Sequence, residues 1–292
     1  MVDSITVIAP AKVNLFLHIT GRRDDGYHLL ESLFAFTRQG DEITLKVAPE
    51  LSLEITGPFS SKFTGNARDN LVFKAALALA QAAGIGAGAE ITLKKNLPIA
   101  AGIGGGSADA AATLRGLNEL WRLGLPFTEL EAIAYGLGAD VPACLYDTPQ
   151  FVEGVGEKLT PLTLSWQAGI VLVNPGVMLS TPAVFKAFKE AGSHFDAPLA
   201  CMEPWTSVLA LTEHSQNSLE RAAVSACAEV DEVLQALKGL EGVQLARMSG
   251  SGATCFAFFE TKGVAEHVAQ AIKNKHPGWW VMADELLTES TL

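Results

Sequence analysis

Residues 4–8 (Ser-Ile-Thr-Val-Ile) alternate polar and apolar, the period-two pattern of a half-buried strand. The run 11–19 keeps that period, with Val13, Leu15, Leu17 and Ile19 on one side. Lys12, Asn14 and His18 take the other side, which reads by default as a solvated face and otherwise as a functional one. Asp25-Gly26 marks a hairpin turn, with Tyr27, His28, Phe34 and Phe36 just beyond it. Strands are predicted near 42–48 and 51–56. The helical period takes over from Asn70 to about Ala83, with Asp69 or Asn70 as N-cap and Gly84 as the stop. Ala89 to Lys95 reads as a strand, and Ser107 to Trp121 as a helix with Ala and Leu on its buried face. A capping box, Thr128 with Glu131, opens a helix ending around Gly136.

Residues 151–162 give a short strand, a turn and a break, and a domain boundary is expected near here, dividing 1–160 from 161–292. A buried strand at Gly169–Val173 restarts the pattern. Ser180 then caps a helix with Pro182 at its first position. Residues 192–206 read as irregular, and helices are predicted at 217–228, 229–238 and 263–275. Strands are predicted at Cys255–Phe259 and Trp279–Met282. Strands and helices alternate throughout, so the fold class is α/β, in the wider α+β sense of mixed sheets.

Composition narrows the function classes. The 292 residues suit about two domains, and 49% apolar against 18% charged residues is enough for a substantial core. A net charge of −11 argues against a nucleic-acid binder, which needs a basic face, but leaves room for phosphorylated metabolites. No apolar run reaches the ~18 residues of a membrane span. No secretory signal is evident at the start of the chain, and the protein is expected to be cytoplasmic with no membrane partner. Cys144, Cys201, Cys227 and Cys255 are scattered, which reads as buried thiols in a reducing compartment.

The candidate chemistry sits in Pro98-Ile-Ala-Ala-Gly-Ile-Gly-Gly-Gly-Ser-Ala-Asp109. Glycines let a backbone aim several N–H groups at one point, and the helix that follows adds unpaired donors and the positive end of its dipole. Together these make an anion site, most commonly for phosphate; the plain alternative is a flexible loop with Ser107 as N-cap. The Walker A, Rossmann and nucleophile-elbow patterns all fail here, and the six histidines lack zinc spacing. A second glycine loop, Met248-Ser-Gly-Ser-Gly-Ala-Thr254, lies far along the chain. Asp140, in Gly138-Ala-Asp-Val-Pro142, is an acid among apolar neighbours, either partly desolvated or a turn carboxylate.

Both glycine loops resemble the phosphate-binding motifs of the GHMP kinases. The segments Ala9-Pro-Ala-Lys-Val-Asn-Leu-Phe-Leu17 and Arg23-Asp-Asp-Gly-Tyr-His28 are similar to the branch acting on a cytidyl-diphosphate-linked methylerythritol. Asp69-Asn-Leu-Val72, Gly138–Pro142, Ser180-Thr-Pro182 with Phe185, and Asn217-Ser-Leu-Glu220 extend that likeness over essentially the whole chain. Ala108 departs from the pattern, because many members have a second serine there.

The resemblance implies ATP-dependent phosphorylation of the 2-hydroxyl of 4-diphosphocytidyl-2-C-methyl-D-erythritol in the non-mevalonate isoprenoid pathway. It implies a two-domain GHMP architecture with the active site in the interdomain cleft, and small-molecule partners only. Catalysis would fall to Asp140 as base, with Lys12 beside it. Pro98, Ile99, Ala100, Ala101, Gly102, Ile103, Gly104, Gly105, Gly106, Ser107 and Ala108 would hold ATP with its Mg²⁺. Ser249, Gly250, Ser251 and Gly252 would approach from the other domain, and Asn70, Leu71 and Lys95 would line the adenosine side. His28 would read the cytosine edge between Tyr27 and Phe185, with Asn14, Phe34, Val155 and Thr181 completing the pocket. A GHMP kinase for a smaller alcohol, which has no need of the aromatic set, and a non-catalytic nucleotide binder, which has no need of Lys12 and Asp140, stay open at this point. So does the choice between monomer and homodimer.

Overall fold

The computed structural model describes residues 3–192, 194–199 and 205–288. The chain divides into two compact units, each built from separate stretches of sequence. The first takes the residues up to Ala11, then Gln39–Ile99 and Gly104–Asp147; the second takes Lys12–Arg38, Ala100–Ile103 and everything from Thr148 onward. Two long strands, β1 (Ser4–Arg22) and β2 (His28–Ala48), contribute to both.

In the first unit the end of β2 is followed by β3 (Ser52–Thr56), α1 (Leu71–Ala82) and β4 (Gly88–Lys94). β4 pairs antiparallel with β2 and parallel with β3, the β3-α1-β4 crossover making the sheet mixed. Asn70 caps α1 by accepting from Val72 N at 2.9 Å, and Gly84, at φ +64°, follows the helix end. Three more helices complete the unit: α2 (Gly105–Leu120), α3 (Phe127–Leu137) and α4 (Val141–Tyr146). α1 packs on α2 and α3, and α4 packs on α2 and α3. Residues 108–114 of α2 are all buried, more of the circumference than a single apolar face. Their small side chains, four of them alanine, allow that.

The second unit pairs the start of β2 with β5 (Gln150–Gly154), which in turn pairs β6 (Lys158–Pro161). A separate antiparallel sheet joins β7 (Gly169–Asn174) to later strands. After β7 come α5 (Thr181–Glu190), α6 (Val208–His214), α7 (Glu220–Ala226) and α8 (Ala228–Lys238). The chain then forms β8 (Leu245–Met248), β9 (Cys255–Phe259), α9 (Lys262–Lys275) and β10 (Trp280–Glu285), and the sheet order is β10-β7-β9-β8. β7 and β9 are wholly buried, as strands covered on both faces must be. Val171, Val173, Ala257 and Phe259 share a core with Val230, Val233 and Leu237 of α8 and Ala265 and Ala269 of α9.

Several expectations need correction. The two predicted strands at the start are one, and its polar side is not solvated: Lys12, Asn14 and His18 are 5%, 4% and 6% exposed. The strand expected near 42–48 starts at His28. Thr128 does not cap α3; Pro126 is the N-cap, because its fixed backbone already holds the extended geometry there. Gly104, in the left-handed region at φ +62°, replaces Ser107 as the N-cap of α2. Pro182 is the second residue of α5, not the first. The helix predicted over 217–228 starts only at Glu220, since Asn217 and Ser218 bond away from it, the one predicted over 229–238 is found at Ala228–Lys238, and α6 adds a helix the pattern missed.

Cys144 and Cys255 are buried free thiols, Cys227 is only half-buried, and Cys201 lies outside the described residues. The described part of 192–206 carries neither helix nor strand, and 193 and 200–204 lie outside it. Among the described residues no helix is long and apolar enough to cross a membrane.

β1 and β2 approach each other closely at Gly40, where a Cβ would lie 1.9 Å from Ala9 O and 2.8 Å from Pro10 Cα. Gly40→Ala forces backbone apart from backbone, so stability should fall by about 1–3 kcal/mol or more. Urea unfolding checks this through a lower midpoint at unchanged slope; an unchanged midpoint contradicts it.

Candidate functional site

The two glycine loops interlock within the second unit. Gly102 has φ +75°, and a Cβ on it would lie 2.5 Å from Gly252 O and 2.9 Å from Ser249 O. Only glycine fits there. The contact is closed by hydrogen bonds: Thr254 N donates to Ala101 O at 3.1 Å, and Ser249 Oγ donates to Gly102 O at 3.1 Å. Ala100–Ile103 and Ser249–Gly252 belong to one compact unit, while Gly104–Ala108 belong to the other.

The second loop is itself held from beneath. Asn217 Nδ2 donates to Met248 O and Gly250 O, both at 2.8 Å, while its Oδ1 accepts from Leu219 N. Gly250 and Gly252 take φ +56° and +85°, and Gly252 N returns to Ser249 O at 2.9 Å. Ser251 Oγ meets Thr181 Oγ1 at 2.8 Å, which joins the start of α5 to this loop.

β1 runs into the same cluster. Lys12 N donates to Ile103 O at 2.9 Å, and Asn14 N donates to Ser249 Oγ at 3.1 Å. That hydroxyl therefore accepts from β1 and donates to the first glycine loop, using its one hydrogen fully. Asn14 Nδ2 donates to Ser32 Oγ at 2.9 Å. Lys12 Nζ lies 4.0 Å from the centroid of the Phe34 ring, whose face offsets part of the cost of burying an ammonium.

Nearby in sequence, His28 stacks on Phe185 with centroids 4.8 Å apart and meets Phe188 edge-on at 6.2 Å. Burial, and then the positive Arg22, pull the His28 imidazole below its ordinary range. Tyr27, 66% exposed, leaves its ring mostly in solvent. Val155 N donates to Glu157 Oε2 at 2.6 Å in the turn after β5.

The first unit holds the helical end of the glycine loop and a buried charge cluster. Pro98 is buried and Ile99 is exposed, and Ala100, at φ +53°, opens the stretch belonging to the second unit. α2 then starts with Gly105, Gly106 and Ser107, whose N–H groups have no intrahelical partner, and Gly104 brings no side chain to cap them. Behind this turn Lys95 Nζ bonds Asp41 Oδ2 at 2.5 Å and Asp109 Oδ2 at 2.8 Å. Asp41 Oδ1 also accepts from Asn96 N and Leu97 N, at 2.6 and 2.9 Å. A Cβ on Gly105 would lie 3.4 Å from Lys95 Nζ, and one on Gly106 3.7 Å from Leu71 Cδ1. Burial pushes the Asp109 carboxyl well above the usual carboxylate range, against the pull of Lys95. Asp140 sits at the N-cap position of α4, half-buried, with its side chain not spent on capping the helix.

A glycine loop leading into a helix whose first N–H groups have no intrahelical partner suits a phosphate ligand. Comparison with known proteins agrees. Residues 70–148 match the GHMP kinases N terminal domain model, and 207–278 the GHMP kinases C terminal model. A protein of Paramagnetospirillum magneticum named 4-diphosphocytidyl-2-C-methyl-D-erythritol kinase is 45% identical over 285 residues, covering 98% of this chain and 99% of that one. A crystal structure of 4-(cytidine 5'-diphospho)-2C-methyl-D-erythritol kinase aligns at TM-score 0.82 and 35% identity, over 97% of this chain and 99% of that one. The chain belongs to the 4-diphosphocytidyl-2-C-methyl-D-erythritol kinase family, within the GHMP kinases. Homoserine kinase from Cytophaga hutchinsonii shares the fold alone, at TM-score 0.69 and 20% identity over 99% of this chain and 96% of that one.

The enzyme is thus a kinase, with ATP as its phosphoryl donor. Of the site residues read from sequence, the structure joins Lys12 to Phe34, Asn14 to Ser249, Gly102 to Gly252, Thr181 to Ser251, and His28 to Phe185. Lys95, expected on the adenosine side, has its ammonium bonded to Asp41 and Asp109. Sequence reasoning gave no role to Asp41, Asp109 or Asn217. For Asp109 and Asn217 the signals were there, as an acid in an alanine-rich helix and an Asn just ahead of a helix; Asp41, among Arg38, Gln39, Gly40 and Glu42, carried none.

Because burial and Arg22 both disfavour its charged form, His28 should titrate below 6.5 in an NMR pH series, and Arg22→Ala should raise that midpoint. A midpoint at or above 6.5 contradicts the buried stack.

Proposed function

We propose that this kinase transfers the γ-phosphoryl group of ATP to the 2-hydroxyl of 4-diphosphocytidyl-2-C-methyl-D-erythritol, as a cytoplasmic enzyme of the non-mevalonate isoprenoid pathway. The observation that carries the reading is the 45% identity, over 98% of the chain, to a relative named for that substrate. In this reading the chain has an N-terminal domain over residues 1–160 and a C-terminal domain over 161–292.

Phosphoryl transfer is mostly positioning plus electrostatics, since the moving group spreads negative charge over its oxygens. Within the stretch from Pro98 to Ala108, the amides of Gly105, Gly106 and Ser107 would supply N–H donors to the ATP phosphates, aided by the dipole of α2. Gly250 and Ser251 would add donors near the transferred group, while Ser249 and Gly252, whose own donors are spent within the cluster, would hold the loop in shape. Asn70, Leu71 and Lys95 would lie toward the adenosine. Asp140 would take the proton of the attacking hydroxyl, and Lys12 would steady the charge that develops. A tertiary alcohol is crowded, so orientation by Asn14, Phe34, Val155 and Thr181 would matter as much as basicity. The His28–Phe185 stack offers an aromatic surface for the cytosine, and the exposed ring of Tyr27 could cover its other face.

Mg²⁺ fits the reading through the phosphates it travels with, since it keeps several waters and takes one or two protein oxygens. Among the described residues no group of three or more His, Cys, Asp or Glu side chains forms a dedicated cage, and such a phosphate-held ion needs none.

Asp140→Asn, with an unchanged melting curve, should lower kcat by about 10²–10⁴-fold, the usual contribution of a positioned base. Near-normal turnover would remove Asp140 from that role. Tyr27→Ala should raise KM for the cytidyl substrate about 5- to 150-fold, the effect of losing roughly 1–3 kcal/mol of base stacking, while KM for ATP stays put. An unmoved KM for the cytidyl substrate would refute the aromatic platform.

A further inference from the structure

Arg115 lies ten residues into α2 from Gly105 and reaches the far end of α4. Its Nη1 donates to Cys144 O and Leu145 O, both at 3.0 Å, and its Nη2 forms an ion pair with Asp147. Asp147 is the C-cap of α4, in the left-handed region at φ +49°. One guanidinium thus binds two orphan carbonyls at the end of the helix and the residue that closes it. α4 has six residues, and Asp140 is its N-cap, tied in by Cys144 N donating to Asp140 O at 3.1 Å. The anchor and the acid are the two ends of one short rod.

Stability does not explain this arrangement. Asp147 is buried, its Oδ1 finds no hydrogen-bond partner among the described residues, and burial pushes its carboxyl up to about 6 despite the pull of Arg115. A buried ion pair with an unsatisfied oxygen seldom repays its desolvation. Geometry is the better account. Six residues make a rod about 9 Å long, so a tilt of ~10° about its C-terminal end moves the N-cap by roughly 1.5 Å. Displacements near 1 Å can cost ~10²-fold in rate. α2 also begins at the glycine loop, so one rigid helix carries both the first turn of that loop and the anchor of α4.

We infer that Arg115 is a positioning residue for the phosphoryl transfer: its bonds to Cys144, Leu145 and Asp147 fix the tilt of α4 and so the placement of the Asp140 carboxylate. The inference rests on the reading of Asp140 as the proton acceptor. Loss of Arg115 should let α4 pivot without unfolding, because the Tyr146 hydroxyl stays bonded to Glu131 at 2.8 Å and its ring stays packed on Phe127.

The test is steady-state kinetics of the full chain with ATP and the cytidyl substrate, for Arg115→Met, Arg115→Lys and Asp147→Asn, each alone and combined with Asp140→Asn. Arg115→Met should lower kcat about 10- to 100-fold. Both KM values should stay within about threefold, as expected when only transition-state interactions are lost. Arg115→Lys should recover part of the loss, since an ammonium keeps the charge but not the fork. In the Asp140→Asn background the added cost of Arg115→Met should shrink to less than about twofold, because coupled residues are not additive. An unchanged kcat, a loss falling on KM, or a full multiplicative loss in the Asp140→Asn background would overturn the inference. If Arg115→Met does not fold, Asp147→Asn and Arg115→Lys are judged by the same criteria. Near-normal turnover by Asp140→Asn alone is the distinct result that would sink the base reading instead.

Discussion

The second unit is organised around a place where a side chain cannot exist. At Gly102 the carbonyls of Ser249 and Gly252 occupy the space a Cβ needs, so two loops far apart in sequence meet backbone to backbone. Such contact is possible only if every polar group involved finds a partner, and Ser249 supplies much of that accounting. Its hydroxyl donates to Gly102 O and accepts from Asn14 N, and its amide donates to Thr254 O. Lys12 and Asn14 are therefore placed by the same bonds that hold the loops together, and β1 is pinned at this crossing. The cost is paid in conformational freedom, with Gly250 and Gly252 both at positive φ.

Buried charges recur where the structure must hold a loop or helix end in one geometry. Lys95, Asp41 and Asp109 lie behind the first turn of α2, with Asp41 also fixing the amides of Asn96 and Leu97 where the glycine loop begins. Arg115 holds the end of α4. In the second unit Arg247 donates to Leu15 O at 2.7 Å and to Ser215 O at 2.6 Å, just ahead of the second glycine loop. Burial pulls this guanidinium down to about 10, a sign of how much solvation it gives up. Each cluster spends desolvation energy to fix a backbone. That is reasonable in an enzyme whose chemistry depends on where donors point more than on reactive side chains.

Local signals made part of this legible in the sequence. The Asn70 cap, the Gly84 stop and the apolar run of β9 depend on near neighbours, and each was readable from the chain alone. The glycine loops announced themselves for the same reason, and the likeness to a known family supplied roles for Lys12 and Asp140 that spacing alone could not. What local pattern could not supply was burial set by distant partners. Lys12, Asn14 and His18 alternate with apolar residues as a solvated edge would, yet segments from the far end of the chain meet Asn14 and His18, and the Phe34 ring meets Lys12. Thr128 had the chemistry of a cap, but Pro126 already fixed the geometry. The partners of Arg115 and Lys95 are likewise remote in sequence, and an arginine in an amphipathic helix looks the same whether it meets water or a helix end.

The central claim is that this GHMP fold carries a kinase specific for a cytidyl-linked alcohol. The most direct measurement is ATP-dependent phosphorylation of 4-diphosphocytidyl-2-C-methyl-D-erythritol, mevalonate, homoserine and galactose, side by side with one preparation of the enzyme. The account predicts kcat/KM for the cytidyl substrate ~10³-fold or more above the others, since a site built to bond and stack a base rejects acceptors that lack one. Turnover of mevalonate, homoserine or galactose without turnover of the cytidyl substrate would contradict it.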